Sequence, residues 1–242
     1  MWSAAEPRRR RGRAPVRLTL LLLALAAAVG GGCASAGGGA DAVPAVRADP
    51  DGFDGARAMA LLRAQVRVGP RPAGSPQLRH LAVRLRALLP HGRFEPVPGA
   101  PGGMRNIVGR LPGRAPALLV GAHYDTKDLP GFVGANDAAA GTAAVIELAR
   151  VLARDRRACA REIRFVLFDG EESPSDERPF STSGLRGSRH HAARHARGLG
   201  AAVIVDFIAG KGVRLPREAG SDARLWHRLR VAADRVGGGA IF

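Results

Sequence analysis

The sequence predicts an α/β domain whose sheet contains parallel neighbours. A strand-length apolar run at 117–122, a helix-periodic stretch at 142–154 and a second strand-length run at 163–168 follow one another along the chain. Strand, helix and strand in that order form a crossover unit, which lays the two strands side by side in parallel. Polar residues gather where these strands end. In open α/β sheets, ligands bind outside the carboxyl ends of the strands.

The elements follow in chain order. Residues 1–32 read as a signal peptide: Arg8, Arg9, Arg10, Arg11, Arg13 and Arg17 precede or open an apolar run at 18–29, LTLLLLALAAAV, too short to span a bilayer comfortably. Cys33 stands where a bacterial lipoprotein is acylated, and Ala34-Ser35-Ala36 offers an ordinary signal-peptidase site. Either way the chain is expected to be exported, with a lipid anchor at Cys33 favoured. With Cys33 lipidated or removed, Cys159 has no partner for a disulfide. Residues 33–54, rich in Gly, Ala, Pro and Asp, read as a tether, with Asp49, Asp51 and Asp54 in a solvated loop. The domain proper is expected over 55–242.

Within that domain a helical pattern covers 56–68. A second helix starts at Ser75, its N-cap, with Pro76 in the first turn and Leu78, Leu81, Leu85 and Leu88 on one face. Residues 90–103 read as a Pro/Gly-rich loop. Strands at 106–111 and 117–122 are joined through Pro112-Gly113, and a loop holding Gly131, Gly134 and Gly141 leads into the helix at 142–154. After the strand at 163–168 come a polar loop at 173–183, a helix from Ser188, a strand at 201–206 and an amphipathic helix near 222–236.

The net charge of +16 invites a nucleic-acid reading, but its distribution argues against one. Six arginines sit in the leader, the others are scattered, only 5% of residues are aromatic, and no basic stripe interleaves with aromatics. No G-x-S-x-G elbow, P-loop or dinucleotide fingerprint is present.

Four polar clusters carry the chemistry. HYDT places His123 and Asp125 past one strand, GAND places Asp137 before a helix, DGEE places Glu171 and Glu172 past the next strand, and VDF places Asp206 at the end of the last. Each alone reads more simply as a surface turn, a helix cap or a wet loop. Together, one histidine and several carboxylates without a thiolate pair form an N/O set suited to zinc kept open for catalysis. Two adjacent glutamates in an extended segment point in different directions, so one can bind metal while the other holds water.

With GLRGSR, GPRPAGS and RNIVGRLPG, these motifs resemble the bacterial zinc aminopeptidases of metallopeptidase family 28 over residues 53–242. The resemblance implies a three-layer α/β/α sandwich around a mixed, mostly parallel sheet. It implies two zinc ions: His123 and Asp206 on one, Glu172 on the other, and Asp137 between them. Glu171 is then the general base, Asp125 orients His123, and peptide or protein N-termini are the substrates. The family pattern also needs a later histidine beside Glu172, which this chain does not supply, and the sheet is expected to lack its last strands. His191 and His195, four apart on a predicted helix, have metal-ligand spacing but read better as a solvated face. HYDTK and GFVGAND are also similar to glutaminyl-peptide cyclotransferases, which use one zinc and line their pocket with tryptophan. That family supplies the alternative activity, and a non-catalytic peptidase-like lipoprotein is a second alternative.

Overall fold

In a computed structural model, which describes residues 52–155, 160–175 and 178–242, five strands form one mixed sheet. They are β1 (Arg93–Pro96), β2 (Arg105–Leu111), β3 (Arg114–His123), β4 (Arg161–Phe168) and β5 (Leu199–Ile204), in the order β1-β2-β4-β3-β5. The chain-consecutive strands β2 and β3 do not pair. Instead β4 lies between them, antiparallel to β2 and parallel to β3, and β5 lies parallel on the other side of β3. The crossover between β3 and β4 is α3 (Gly141–Arg154), so the strand-helix-strand reading holds. The signal segment and nearly all of the tether, with Cys33, Asp49, Asp51 and Cys159, lie outside the described residues.

Two apolar clusters, one on each face of the sheet, account for the layering. The larger joins Ile107, Leu111, Ala122, Ile163, Phe165 and Leu167 to Leu78, Leu81 and Leu85 of α2 (Pro76–Leu88) and to Val145, Ile146 and Leu148 of α3. The smaller holds Val108, Leu119, Val166, Phe168, Ala202 and Ile204. On that face lies α5 (Arg186–His195), whose His191 ring meets Phe168 edge-on at 6.0 Å. Alternation along β4 delivers side chains to both faces, as the period of a strand requires. Leu88, expected on the buried face of α2, is half exposed, and Leu89, which follows the helix, is buried in its stead.

Ser75 caps α2, accepting the Leu78 amide at 3.1 Å. Asp54 is likewise a cap rather than part of a solvated loop. Its carboxylate accepts the Arg57 amide at the start of α1 (Gly55–Val66), and its own amide donates to buried Glu147. The stretch 90–103 differs from the loop expected there, since it contains β1. Its prolines and glycines mask a four-residue edge strand formed by pairing with 105–108. Proline is tolerated at such an edge. Phe94 is gripped by the guanidinium groups of Arg86 and Arg105, 5.3 and 4.0 Å from its ring centre. The helix expected from Ser188 starts two residues earlier at Arg186, after a short helical turn, α4 (Phe180–Ser183). The last helix, α6 (Ala223–Arg235), is capped by Asp222. Among the described residues no helix is long and apolar enough to cross a membrane.

The GLRGSR segment braces the loop after β4. The amides of Leu185, Arg186 and Gly187 donate to the carbonyls of Glu171, Gly170 and Asp169 in turn. Gly187 is pressed against that loop so closely that an added Cβ would lie 2.2 Å from Asn106 Oδ1 and 2.3 Å from the Asp169 carbonyl oxygen. Gly187→Ala is therefore expected to cost about 1–3 kcal/mol of stability through overpacking. Urea unfolding measures it, and an unchanged midpoint would show that the two segments separate freely.

Candidate metal centre

His123 is the last residue of β3, and the sheet register sets it opposite Phe168 at the end of β4. Its ring is 3% exposed. Nε2 lies 2.9 Å from Asp137 Oδ1 and 3.5 Å from Asp206 Oδ1, while Nδ1 lies 3.5 Å from Asp125 Oδ1 and 4.0 Å from Glu171 Oε2. Neither ring nitrogen completes a hydrogen bond of good geometry. Thr142, in the first turn of α3, fixes the backbone by donating its hydroxyl to the His123 carbonyl at 2.8 Å.

Asp137 reaches the site from a wide helical turn at Ala135–Ala140, closed by the Ala139 amide on the Gly134 carbonyl. Such turns are rare and cluster at functional sites. Gly134 has φ 57°, and a Cβ there would sit 2.3 Å from the Asp137 carbonyl oxygen, so the turn requires glycine. Asp206 stands two residues beyond β5 rather than within it. Its carboxylate accepts the amide of Phe207, a non-glycine residue at φ 50°. Asn136 ties the Asp206 loop to the Asp137 turn by accepting the Ala209 amide at 2.8 Å.

Asp125 is fully buried, and its two oxygens accept the amides of Glu171 and Glu172, each at 3.2 Å. It thus sits beside the His123 ring and holds the paired glutamates at once. Gly170, at φ 67°, turns the chain from β4 into this cradle.

The electrostatics follow from crowding. Burial, reinforced by Asp125, Asp206 and Asp137, pushes Glu171 up to about 7 against the pull of His123. Burial and the adjacent Asp137 charge push Glu172 up to about 8. Burial works to raise Asp137, but the His123 contact outweighs it and Asp137 is lowered. Burial works to lower His123, and the carboxylates of Asp125, Asp137 and Asp206 overcome it and raise it well above its ordinary value.

The residues fit a divalent metal. His123, Asp137 and Asp206 offer one ligand atom each within 4.8 Å of one another, and so do His123, Glu171 and Glu172. A buried imidazole without hydrogen bonds and a buried Glu172 Oε1 without a partner are polar atoms that a cation would satisfy. Among the described residues His123 is the only histidine that joins Glu172 in such a group. His191 and His195 pair with Glu95 instead, so they do not provide the further histidine beside Glu172.

Sequence reasoning gave no role to Arg71, although it lies in GPRPAGS. It is fully buried and donates to the carbonyls of Tyr124, Val133 and Gly134, clamping the HYDT strand end to the GAND loop. Burial lowers it to about 10, against the opposing charges of Asp125 and Asp137. The lone arginine in a Gly/Pro-rich stretch was the signal available. Asp169 also went unremarked. It accepts the Arg105 amide at 3.0 Å and the Tyr124 hydroxyl at 3.3 Å, and burial with nearby Asp125 raises it to about 6.

The centre opens onto a cleft of about 590 Å³ lined by Lys127, Leu129, Phe180 and Phe207 beside the acidic residues. Trp226 packs on Phe242 at 4.8 Å and does not line it.

Comparison with known proteins places these features in a family setting. The model of peptidase family M28 matches residues 106–240. A glutaminyl cyclase from an Acidobacteriales bacterium is 28% identical with a TM-score of 0.67, the match covering 84% of this chain and 74% of that one. A Zn-dependent exopeptidase from Parabacteroides distasonis shares the fold, at 22% identity and a TM-score of 0.67 over 78% of this chain and 75% of its own. The uncharacterized protein YfbL of Escherichia coli K12 is 32% identical over 120 residues, which are 47% of this chain and 34% of YfbL. The chain thus spans about a third of the length of that curated relative.

Metal-free protein should show the strain of this crowding. Glu171, Glu172 and Asp169 are all raised on folding, so the stability tied to their protons is present below their unfolded values and lost as pH rises through about 6 to 8. Melting temperature without metal is expected to fall between pH 5 and 8, and saturating Zn²⁺ to flatten the slope. A metal-free profile that rises over this range would contradict the assignment.

Proposed function

The chain belongs to peptidase family M28, and from that premise we propose that it is an exported zinc aminopeptidase, releasing N-terminal residues from peptides. The observation that carries the reading is the position of Glu171. Its carboxylate lies 4.0 Å from the His123 ring and lines the cleft, inside one candidate ligand group and next to the other.

In this reading His123, Asp137, Glu172 and Asp206 would hold the zinc, His123 with Asp137 and Asp206 forming one ligand group and Glu172 belonging to the other. When bound, zinc supplies Lewis acidity to the attacking water and the scissile carbonyl. Glu171 would take a proton from that water and return it to the leaving amine, the role of a general base that then acts as an acid. Asp125 keeps Glu171 in place through its amide and stands beside His123 Nδ1. The carboxylates of Asp137, Glu172 and Asp206 favour a cationic substrate amino terminus. Phe180 and Phe207, each nearly half exposed on the cleft, offer apolar contact to the first side chain. Export and a lipid anchor at Cys33 rest on the sequence of residues 1–54 and belong to the same proposal.

A second reading, a glutaminyl cyclase, is favoured by one observation: the 28% identical structure bears that name. Among the described residues that line the cleft there is no tryptophan. Assay with a Leu-peptide and a Gln-peptide separates the two. Free leucine is expected, and pyroglutamate formation without hydrolysis would overturn the aminopeptidase.

Removal of the base and removal of a ligand should differ. Glu171→Ala is expected to keep its zinc while turnover falls by roughly 10²–10⁴, and Asp137→Ala to lose zinc as well as activity. Elemental analysis beside peptide hydrolysis reads both. Equal zinc content in the two variants would refute these roles.

A further inference from the structure

On the face of the sheet covered by α5, away from the cleft, Glu95, His191 and His195 meet. Glu95 Oε2 lies 2.8 Å from His191 Nδ1, and Glu95 Oε1 lies 2.7 Å from His195 Nε2. The two rings stand 4.6 Å apart at 46°. The i, i+4 spacing puts both histidines on one side of α5, and the alternation of β1 sends half-buried Phe94 to the opposite face and Glu95 to this one. His191 is 2% exposed and Glu95 5%, so this is not the solvated helix face that the sequence suggested. The reason is β1, whose edge pairing carries a carboxylate under the helix.

We propose that Glu95, His191 and His195 form a second metal centre, separate from the cleft, which takes a transition-metal dication such as Zn²⁺. Two imidazoles and one carboxylate are a three-ligand set that zinc accepts, with a fourth position left for water or a small anion. The ligand atoms already lie within 4.8 Å of one another. Around a tetrahedral zinc they would stand about 3.3 Å apart, so the two contacts that Glu95 makes, through its two different oxygens, would each lengthen by about half an ångström. The cleft set is drawn together in the same way, with His123 Nε2 2.9 Å from Asp137.

The surroundings are built as a metal site requires. Asn106 donates its amide to Glu95 Oε2 at 2.9 Å and to the Gly187 carbonyl at 3.0 Å, which fixes the carboxylate from behind. His191 Nε2, on the far side of the ring from Glu95, is buried without a hydrogen-bond partner. A cavity of about 330 Å³ gives access. Two of the three arginines lining it, Arg110 and Arg164, share the carboxylate of Glu162 at 2.7 and 2.6 Å, and the third is Arg93.

The centre would fasten α5 to the edge strand β1. It also touches the catalytic loop, because the same Asn106 accepts the Asp169 amide at 3.2 Å, two residues before Glu171. Metal here therefore stiffens the brace behind the paired glutamates without entering the reaction.

The test uses the whole chain. Histidine nitrogen NMR during Zn²⁺ titration should move His191 Nδ1 and His195 Nε2 into the range of metal-bound imidazole. Elemental analysis after equilibration with Zn²⁺ should find one equivalent fewer in His195→Gln than in the unaltered protein, and the same count in Arg194→Gln. Should His195→Gln fold poorly, the NMR measurement on the unaltered protein decides alone. Unshifted His191 and His195 nitrogens at zinc saturation, or an equal zinc count in folded His195→Gln, would overturn the proposal.

Discussion

The carboxylate of Asp125, accepting the amides of Glu171 and Glu172 together, is the contact on which the centre depends. It joins the end of β3 to the end of β4 and sets the two glutamates beside His123. A buried carboxylate cannot be left without donors, since desolvation would then cost several kcal/mol. The two amides meet that need, and they also fix where the glutamate side chains begin. Cationic Arg71 stands behind this arrangement, balancing Asp125 and Asp137 while its donors hold the carbonyls of both site loops.

Around that contact the molecule is layered for position rather than for strength alone. Three loops leave the carboxyl ends of β3, β4 and β5, and each is tied to another element by backbone or side-chain bonds. Thr142 holds the His123 carbonyl, Asn136 holds the loop after Asp206, and the GLRGSR backbone runs against the glutamates. The result brings five carboxylates and one imidazole close together, an arrangement with mutual repulsion that a dication relieves. Burial raises Glu171 and Glu172, and the neighbouring carboxylates add to that rise.

Much of this was legible along the chain because the signals are local. Ser75-Pro76 announces a helix start, the run at 163–168 announces a buried strand, and Gly170 announces the turn that follows. His123, Asp125, Glu171, Glu172 and Asp206 were marked by their place at the ends of apolar runs, and Asp137 by its Gly-rich loop before a helix. Long-range consequences were not legible. β1 hid among prolines and glycines because only its pairing with β2 makes it a strand. Arg71 looked like a loop residue because its partners lie 53 to 63 positions away.

The histidines of α5 mark the boundary most clearly. Their spacing was visible, and so was Glu95, but 96 residues separate Glu95 from His191 and nothing local relates them. The amino-acid sequence by itself determined the element types, the apolar faces and the identity of the carboxylates at the strand ends, since these depend on periodicity and on turn chemistry within a few residues. Only the tertiary structure decided that β4 inserts between β2 and β3, that Asp125 serves the glutamates as well as lying beside the histidine, and that His191 is buried on a carboxylate. Those outcomes depend on which distant surfaces share a face of the sheet, and that is set by the packing of the whole core.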